Sequence, residues 1–501
     1  MGFKEKQKDK SNYNRAIKYT GLFGGVQVIT LLTSILRNKL VAVILGPSGL
    51  GLISVYNSVI KLLNDSTNLG ISFSSVKNIS ETFSDNDSDK LINQIDIVRS
   101  WSLLTALLGI SICIILASTL SFFTFKNYNH TFSFILLSPI VGMMAISGGE
   151  LAILKGIRQL RKVAISSVLG AISTLIISIP LYYIWGMKGI IPSLLLTTLT
   201  TTLIILNYSF RIFPFRLHQN YKSNLRNGSP MIKLGIAFIM AGILGSGVEY
   251  IIRAFILQTS SIDMVGLYNA GYALTVTYAG MIFAAMETDY FPRLSAAHRD
   301  IRQMNQIVNQ QIEIAILLIS PLMVIFLIFL PIILPIFYSS QFLPVIGMAE
   351  YATFGMVIKA ITLPIAYITL AKGDSLAYFI LELLYDISIV AFIILGFNKY
   401  ELSGTGIAIT LAGAFDLIIV YSFARVKYKF RLSKDVFQIF IIQIIWIIFA
   451  FIATSINKNL TYWMVGIGCI ISSLLITLHF LRKKTDILEK IRTILKSKNG
   501  L

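Results

Sequence analysis

The chain has 501 residues, of which 55% are hydrophobic and 13% charged, with a formal net charge of +19. Soluble domains carry roughly 25% charged residues, so this chain lacks the charge to clothe a water-facing surface of its size. The two cysteines and four scattered histidines exclude a disulfide framework or a zinc site.

The predicted elements are a train of apolar runs, each long enough to cross a hydrocarbon core as a helix. They fall near 19–42, 47–75, 101–123, 132–154, 164–185, 189–209, 231–257, 264–288, 311–336, 343–370, 376–397, 404–424, 437–455 and 461–481. The expected fold is therefore an all-α integral membrane protein with about fourteen transmembrane helices. Transmembrane strands need only about ten residues with alternating polarity, and these runs are longer and apolar throughout. No small-residue cleavage site follows the first run, so it is expected to stay as a signal anchor.

With the N-terminus in the cytoplasm and the chain reversing at every span, 34 of the 43 Lys and Arg residues fall on the inner side. The outer loops hold only Lys126, Lys188, Lys399 and Lys458. This is the positive-inside distribution, and it puts both termini in the cytoplasm. It also disposes of nucleic acid as the reason for the basic charge, which is spread over loops as a topology signal. Trp101, Trp185 and Trp463 stand near span ends, where amphipathic rings favour the headgroup region.

The chain repeats itself. Arg37, Gly51-Leu52, Lys155-Gly156 and Gly189-Ile190 recur as Arg253, Gly266-Leu267, Lys372-Gly373 and Gly406-Ile407, at offsets of 216, 215, 217 and 217 residues. Six helices separate the copies, so both halves keep one orientation, as in transporters with parallel repeats. The organisation read from this is a cytoplasmic segment 1–18, a six-helix lobe 19–210, a cytoplasmic linker 211–230, a second six-helix lobe 231–425, two additional helices over 437–481, and a cytoplasmic tail 482–501.

Charges inside spans are costly, at roughly 2.5–3.5 kcal/mol on insertion scales, so they face partners or a watery cavity. Apart from Lys233 at the inner end of span 7, five cations lie within spans: Arg37, Lys39, Lys61, Arg253 and Lys359. Arginine binds phosphate oxygens with a planar fork, so Arg37 and Arg253 at corresponding places on helices 1 and 7 suit a phosphate-bearing substrate. Lys39, two residues from Arg37, points to another face. The plainer reading sits beside this: Glu249 stands four residues before Arg253 and Asp65 four after Lys61, and each can neutralise its neighbour. Among the acids, Glu382 and Asp386 share a face of span 11 and Asp416 lies in span 12, which makes them candidates for proton coupling or for simple hydrogen-bonded polar positions. The segment Asp289-Tyr290-Phe291-Pro292-Arg293 is expected to stop span 8 with an Asp–Arg pair. No nucleotide loop, zinc spacing or nucleophile motif is present in the sequence, so neither a cofactor nor a metal is expected, and no catalytic residue is named.

Three stretches carry a family resemblance. Arg37-Asn38-Lys39-Leu40-Val41-Ala42 with Leu45-Gly46-Pro47-Ser48-Gly49-Leu50-Gly51-Leu52 resembles the first-helix signature of polysaccharide-repeat flippases. These are the Wzx-type O-antigen translocases of the multidrug/oligosaccharidyl-lipid/polysaccharide exporter superfamily. Val265-Gly266-Leu267-Tyr268, with Ala285-Met286 and Asp289–Ser295, and Leu370-Ala371-Lys372-Gly373 are similar to further segments of that family. The resemblance implies two six-helix lobes around a central cavity. It implies an undecaprenyl-pyrophosphate-linked oligosaccharide as substrate and a place in the bacterial cytoplasmic membrane. Partners would be membrane lipids, a polysaccharide polymerase and a chain-length regulator. A multidrug/cation antiporter of the same superfamily is the main rival, but it would want an acid in the N-terminal lobe to bind a cation or proton, and the first helix has no acid and two cations, which favours an anionic substrate. Another isoprenoid-linked precursor flippase is poorly separated. A membrane glycosyltransferase is disfavoured by the short outer loops.

Overall fold

A computed structural model describes residues 2–84, 87–215, 221–456 and 460–484. The tail from 485 onwards, Lys458 and residues 216–220 of the expected linker lie outside the described residues. Every regular element among the described residues is helical. Among the described residues, nine helical stretches are long and apolar enough to span a membrane. Their apolar side chains point outward, Ile115 being 75% exposed, Ile184 69%, Leu395 67% and Ile418 64%. In water each would be a liability, and in lipid each is solvated.

Several of the nine stretches are broken inside. Helix α1 (Gly2–Thr67) breaks at Gly46, whose φ of 67° and ψ of −166° lie outside helical space. Glycine reaches that conformation without a Cβ clash, and Pro47 disfavours a helical residue before it. Helices α2 (Ile71–Ser84), α3 (Ser88–Phe125), α4 (Thr131–Gly156), α5 (Leu160–Trp185), α6 (Ile190–Phe210), α7 (Tyr221–Asn227) and α8 (Ser229–Thr259) follow. Then come α9 (Ile262–Tyr272), α10 (Tyr278–Ala297), α11 (Ile301–Phe337), α12 (Val345–Ala371), α13 (Ser375–Tyr428), α14 (Lys434–Thr454) and α15 (Leu460–Lys484). Helix α13 breaks at Tyr400 and Glu401. Helix α10 runs through Pro292 to Ala297. The expected Asp289–Arg293 pair forms at 2.9 Å, but it does not stop the helix.

The chain divides into two compact units, one of residues 1–266 with 337–339, the other of 267–336 with 340–501. In the first, α3 packs on α4, α5 on α6, and both α5 and α8 on α1. This division by packing differs from the division by repeat, because α8 begins the second repeat and packs in the first unit. In the second unit, α12 packs along α13. Helices α14 and α15 are joined by Gln443, which bonds Ser473 and Thr477, and Tyr462 and Thr477 tie α15 to carbonyls of α11.

The repeat is written into the backbone. At the end of α4, Ile157 N bonds Ile153 O, Arg158 N bonds Lys155 O, and Gln159 N bonds Leu154 O. At the end of α12, Lys372 N bonds Ile368 O, Gly373 N bonds Leu370 O, and Asp374 N bonds Thr369 O, each 215 residues further on. Arg158 and Gly373 both take a left-handed φ, of 59° and 72°, which closes this helix-ending motif. Gly189 abuts the Leu181 carbonyl, and Gly404 abuts the Gly396 carbonyl at that same spacing. The pairings of Lys155-Gly156 with Lys372-Gly373, and of Gly189-Ile190 with Gly406-Ile407, are therefore two residues out of register. Such common dipeptides align by chance, whereas hydrogen-bond patterns do not.

At one place the repeat touches itself. A side chain on Gly51 would strike the Ile262 carbonyl, and one on Gly266 would strike the Pro47 carbonyl. Between them Ser48 Oγ donates to Asp263 Oδ1 at 2.5 Å. Ser48 with Asp263 and Gly51 with Gly266 join a residue to its own repeat counterpart, and the contacts of Gly51 with Ile262 and of Gly266 with Pro47 mirror each other across the repeat. The contact has the reciprocity of an isologous interface.

Candidate functional site

In the first unit, the second half of α1 presents Lys61 and Asp65 toward Glu249 and Arg253 of α8. Lys61 Nζ lies 2.7 Å from Glu249 Oε1. Arg253 Nη1 lies 3.5 Å from Glu249 Oε2 and donates to the Glu249 carbonyl at 2.9 Å. Glu249 thus takes two cations. Asp65 stands within electrostatic reach of Lys61 and Glu249 and accepts from Asn64 Nδ2. The close partner of Lys61 is Glu249, 188 residues away, rather than Asp65 one turn along. Lys61 is exposed while Arg253 is buried, so the pair is a bridge between a wet and a dry position. Exposed pairs of this kind contribute about 0–1 kcal/mol, which leaves Lys61 cheap to detach.

Arg37, half-buried, donates from Nη2 to the buried Tyr182 hydroxyl at 3.4 Å. That hydroxyl accepts from Ser193 at 3.0 Å. Arg37 Nε is buried with no hydrogen-bond partner among the described residues. A buried guanidinium with an unused donor is costly unless something else accepts from it. Lys39 is part-buried two residues along.

In the second unit, a cavity of about 110 Å³ opens between α12 and α13. Lys359 of α12 lines it together with Glu382 from the first half of α13 and Asp416 from the second. Lys359 lies within electrostatic reach of both carboxylates. Tyr378, Glu382 and Tyr385 fall on one face of α13 at intervals of four and three residues, and all three line the cavity. Asp386 is part-buried within electrostatic reach of Glu382, outside the lining. One cation against two carboxylates is an unbalanced set. In a low dielectric such a set holds a proton or a further cation in preference to a bare negative charge. The space accommodates a few waters, at about 30 Å³ each.

One functional-looking cation escapes sequence reasoning. Arg99 counts there as a loop charge, yet it is 6% exposed. Its Nε bonds Glu150 Oε1 at 2.8 Å, and Nη2 bonds Glu150 Oε2 at 3.3 Å and the Phe213 carbonyl at 2.8 Å. Nη1 bonds the Pro214 carbonyl, Ser209 Oγ donates to Glu150 Oε2, and the guanidinium lies 4.9 Å from the Phe210 ring centre. Glu150 and Arg99 are 51 residues apart, and no local spacing signals their meeting. At the other helix ends, Asp374 accepts from Lys427 and Tyr428, which holds its carboxyl below the usual range.

The fold defines a multi-pass membrane protein. Residues 40–347 match the family described as polysaccharide biosynthesis protein, and the chain belongs to that family. No curated protein sequence matches it. Among solved structures, the lipid II flippase MurJ in an inward closed conformation is similar with a TM-score of 0.72 and 15% identity, over 93% of this chain and 99% of that one. An inward-facing multidrug resistance MATE family transporter of the MOP superfamily gives a TM-score of 0.67 and 14% identity, over 80% of this chain and 94% of that one. A MOP superfamily transporter from Pyrococcus furiosus, described as having a binding pocket of reversed polarity, gives 0.55 and 14%, over 81% and 93%. At these identities the likeness is one of fold, and the fold is that of MOP superfamily transporters.

Proposed function

We propose that the protein is a flippase that moves undecaprenyl-pyrophosphate-linked oligosaccharide repeat units from the cytoplasmic to the outer leaflet of the bacterial cytoplasmic membrane, for O-antigen or related surface polysaccharide. In this reading the chain crosses the membrane fourteen times with both termini in the cytoplasm. The lobes 19–210 and 231–425 rock around a central cavity, and the helices of 437–481 are an addition. The protein makes and breaks no covalent bond, and hands its product to a polymerase and chain-length regulator.

The observation that carries the reading is the shared carboxylate, Glu249, between Lys61 and Arg253, together with the unused Nε donor of Arg37. A diphosphate accepts from all three cations more strongly than one carboxylate does, because it brings more oxygens and more charge. It would displace Glu249 from Lys61 first, since that pair is exposed. Glu249 and Asp65 then hold the cations in place when substrate is absent. Lys39 contributes at the rim. Lys359, set between Glu382 and Asp416, is assigned with those acids and Asp386 to coupling, where a proton or cation exchanges as the cavity changes access. Only a ligand that favours one conformation can drive such a cycle.

The test is complementation of a gene deletion with wild type, Arg37→Ala and Arg37→Lys. The measured quantities are surface polysaccharide and the cytoplasm-facing pool of lipid-linked repeat units. The expected outcome is a lost polymer and a trapped intermediate on deletion, no rescue by Arg37→Ala at normal membrane levels, and partial rescue by Arg37→Lys. Unchanged polysaccharide with increased drug sensitivity on deletion would hand the reading to a cation antiporter, which the acidic surplus around Lys359 also suits.

A further inference from the structure

Another cavity of the second unit is lined by none of these residues. It has a volume of about 610 Å³ and lies against the N-terminal half of α11, between the start of α14 and the end of α15. Its wall changes character along α11. Asn305, Gln306, Asn309 and Gln310 come first, then Glu313, and one turn further Ile314 and Leu317. Phe480 and Leu481 of α15 continue the apolar end, while Arg293 and Asp435 join the polar one. A crevice meant for water would not end in Phe480 and Leu317. One meant for acyl chains would not begin with four amides.

The amides divide into two pairs. Asn305 and Asn309 are committed to the fold: Asn305 accepts from Arg431 N, while Asn309 accepts from Ser433 N and donates to the Arg431 carbonyl. They fix the loop that leads into α14. Gln306 and Gln310, one position along, are exposed. The polar end therefore offers two amides, each a donor and an acceptor, beside one guanidinium and two carboxylates.

We propose that this cavity binds a zwitterionic phospholipid whose head carries a primary ammonium, with the head at the amide end and the start of an acyl chain against Ile314, Leu317 and Phe480. The size is that of a small-molecule site. The phosphate takes hydrogen bonds from Gln306, Gln310 and Arg293. The ammonium donates to the carboxylates of Glu313 and Asp435, a pairing that an anionic glycerol head would convert to like-charge repulsion. The cavity also sits where a lipid head must lie, at the level where α11 turns apolar and where α14 starts and α15 ends. Arg431, Lys434, Arg482 and Lys483 surround that level in sequence. This inference is independent of what the protein transports.

The experiment uses the full-length protein in nanodiscs made from equal parts of phosphatidylethanolamine, phosphatidylcholine and phosphatidylglycerol, followed by native mass spectrometry of the lipids retained after stripping. Wild type is expected to retain the ethanolamine lipid about tenfold over the choline lipid, the worth of one charge-assisted hydrogen bond that a trimethylated nitrogen cannot donate. Glu313→Gln/Asp435→Asn removes the acceptors of the ammonium and is expected to bring the retained lipids to the bulk ratio. Gln310→Lys adds a cation and is expected to shift retention toward phosphatidylglycerol. Retention at the bulk ratio by wild type overturns the proposal without any variant. So does ethanolamine selectivity that survives the double substitution.

Discussion

Two regions of this protein bury cations, and they do so in opposite ways. Around Arg99 in the first unit, guanidinium donors are matched by both oxygens of Glu150 and by the Phe213 and Pro214 carbonyls. Around Lys359 in the second, one ammonium faces two carboxylates and three walls of a cavity that has room for water. The first arrangement uses four of the five guanidinium donors and both carboxylate oxygens. The second is unbalanced. Each is a local departure from a shared scaffold: at the 215-residue register, Arg99 and Glu150 correspond to Ile314 and Ile365, and Lys359, Glu382 and Asp416 correspond to Met144, Ser167 and Thr201. One backbone plan thus carries a bonded clamp in one copy and an unbalanced charge set beside a cavity in the other. The extent of hydrogen bonding, more than burial of charge, tells them apart.

The largest expected effect breaks the clamp. Glu150→Leu leaves Arg99 buried without its anion, which costs about 3–5 kcal/mol. A fluorescent fusion followed by size-exclusion chromatography after heating should show loss of the monodisperse protein. Arg99→Met with Glu150→Leu removes both charges and should recover much of the loss, because a buried ion pair and a well-packed apolar pair are often close in stability. A double variant as unstable as the single would mean that the carbonyl contacts of Arg99 matter more than the pair.

A smaller stability change and a larger functional one are expected at the cavity. Lys359→Met should leave the protein in the membrane at near-normal levels, since the cavity has room for water beside Glu382 and Asp416. Transport measured as surface polysaccharide should fall at least about tenfold, equal to about 1.4 kcal/mol of lost differential interaction. If Lys359→Met instead behaves like Glu150→Leu and removes the folded protein, the contrast between bonded clamp and unbalanced charge set fails.

Much of the fold was legible because bilayer thickness forces long apolar helices and forbids most alternatives. The repeat was legible in outline, as Gly51 and Gly266 stand in their true register and meet in space. Its register elsewhere was not, because Lys-Gly and Gly-Ile pairs are too common to fix an alignment that backbone hydrogen bonds fix at once. Of the site, the charges inside spans were visible one by one, since each is expensive there. The local pair Glu249–Arg253 follows helical periodicity and forms. Glu249 with Lys61, Glu150 with Arg99, and Lys359 with Asp416 are tertiary meetings across 188, 51 and 57 positions. No local period encodes them, and Arg99 was hidden by its place at a span edge. Spacing put Glu382 with Asp386 on one face, whereas the cavity takes Glu382 with Tyr378 and Tyr385 and leaves Asp386 outside its lining.

The smallest expected effect sharpens the comparison with an intermediate case. His130, in the turn between α3 and α4, is part-buried, stacks on Phe125 at 3.7 Å between ring centres, and shares a hydrogen bond of 2.9 Å with the Tyr56 hydroxyl. Its counterpart is Val345, so it too is an addition to the scaffold. Burial pushes its pKa below the ordinary 6.5. The folded state therefore holds the neutral ring, while the unfolded chain takes up a proton more readily. The stability this gives is present above about pH 6.5 and is lost as pH falls through the lower folded value. Thermal unfolding in detergent should show a melting temperature that is flat above neutrality and declines toward pH 5. In His130→Gln, which keeps an amide beside Tyr56 and cannot titrate in this range, that decline should shrink. An unchanged decline would assign it to other groups and place His130 with the bonded contacts.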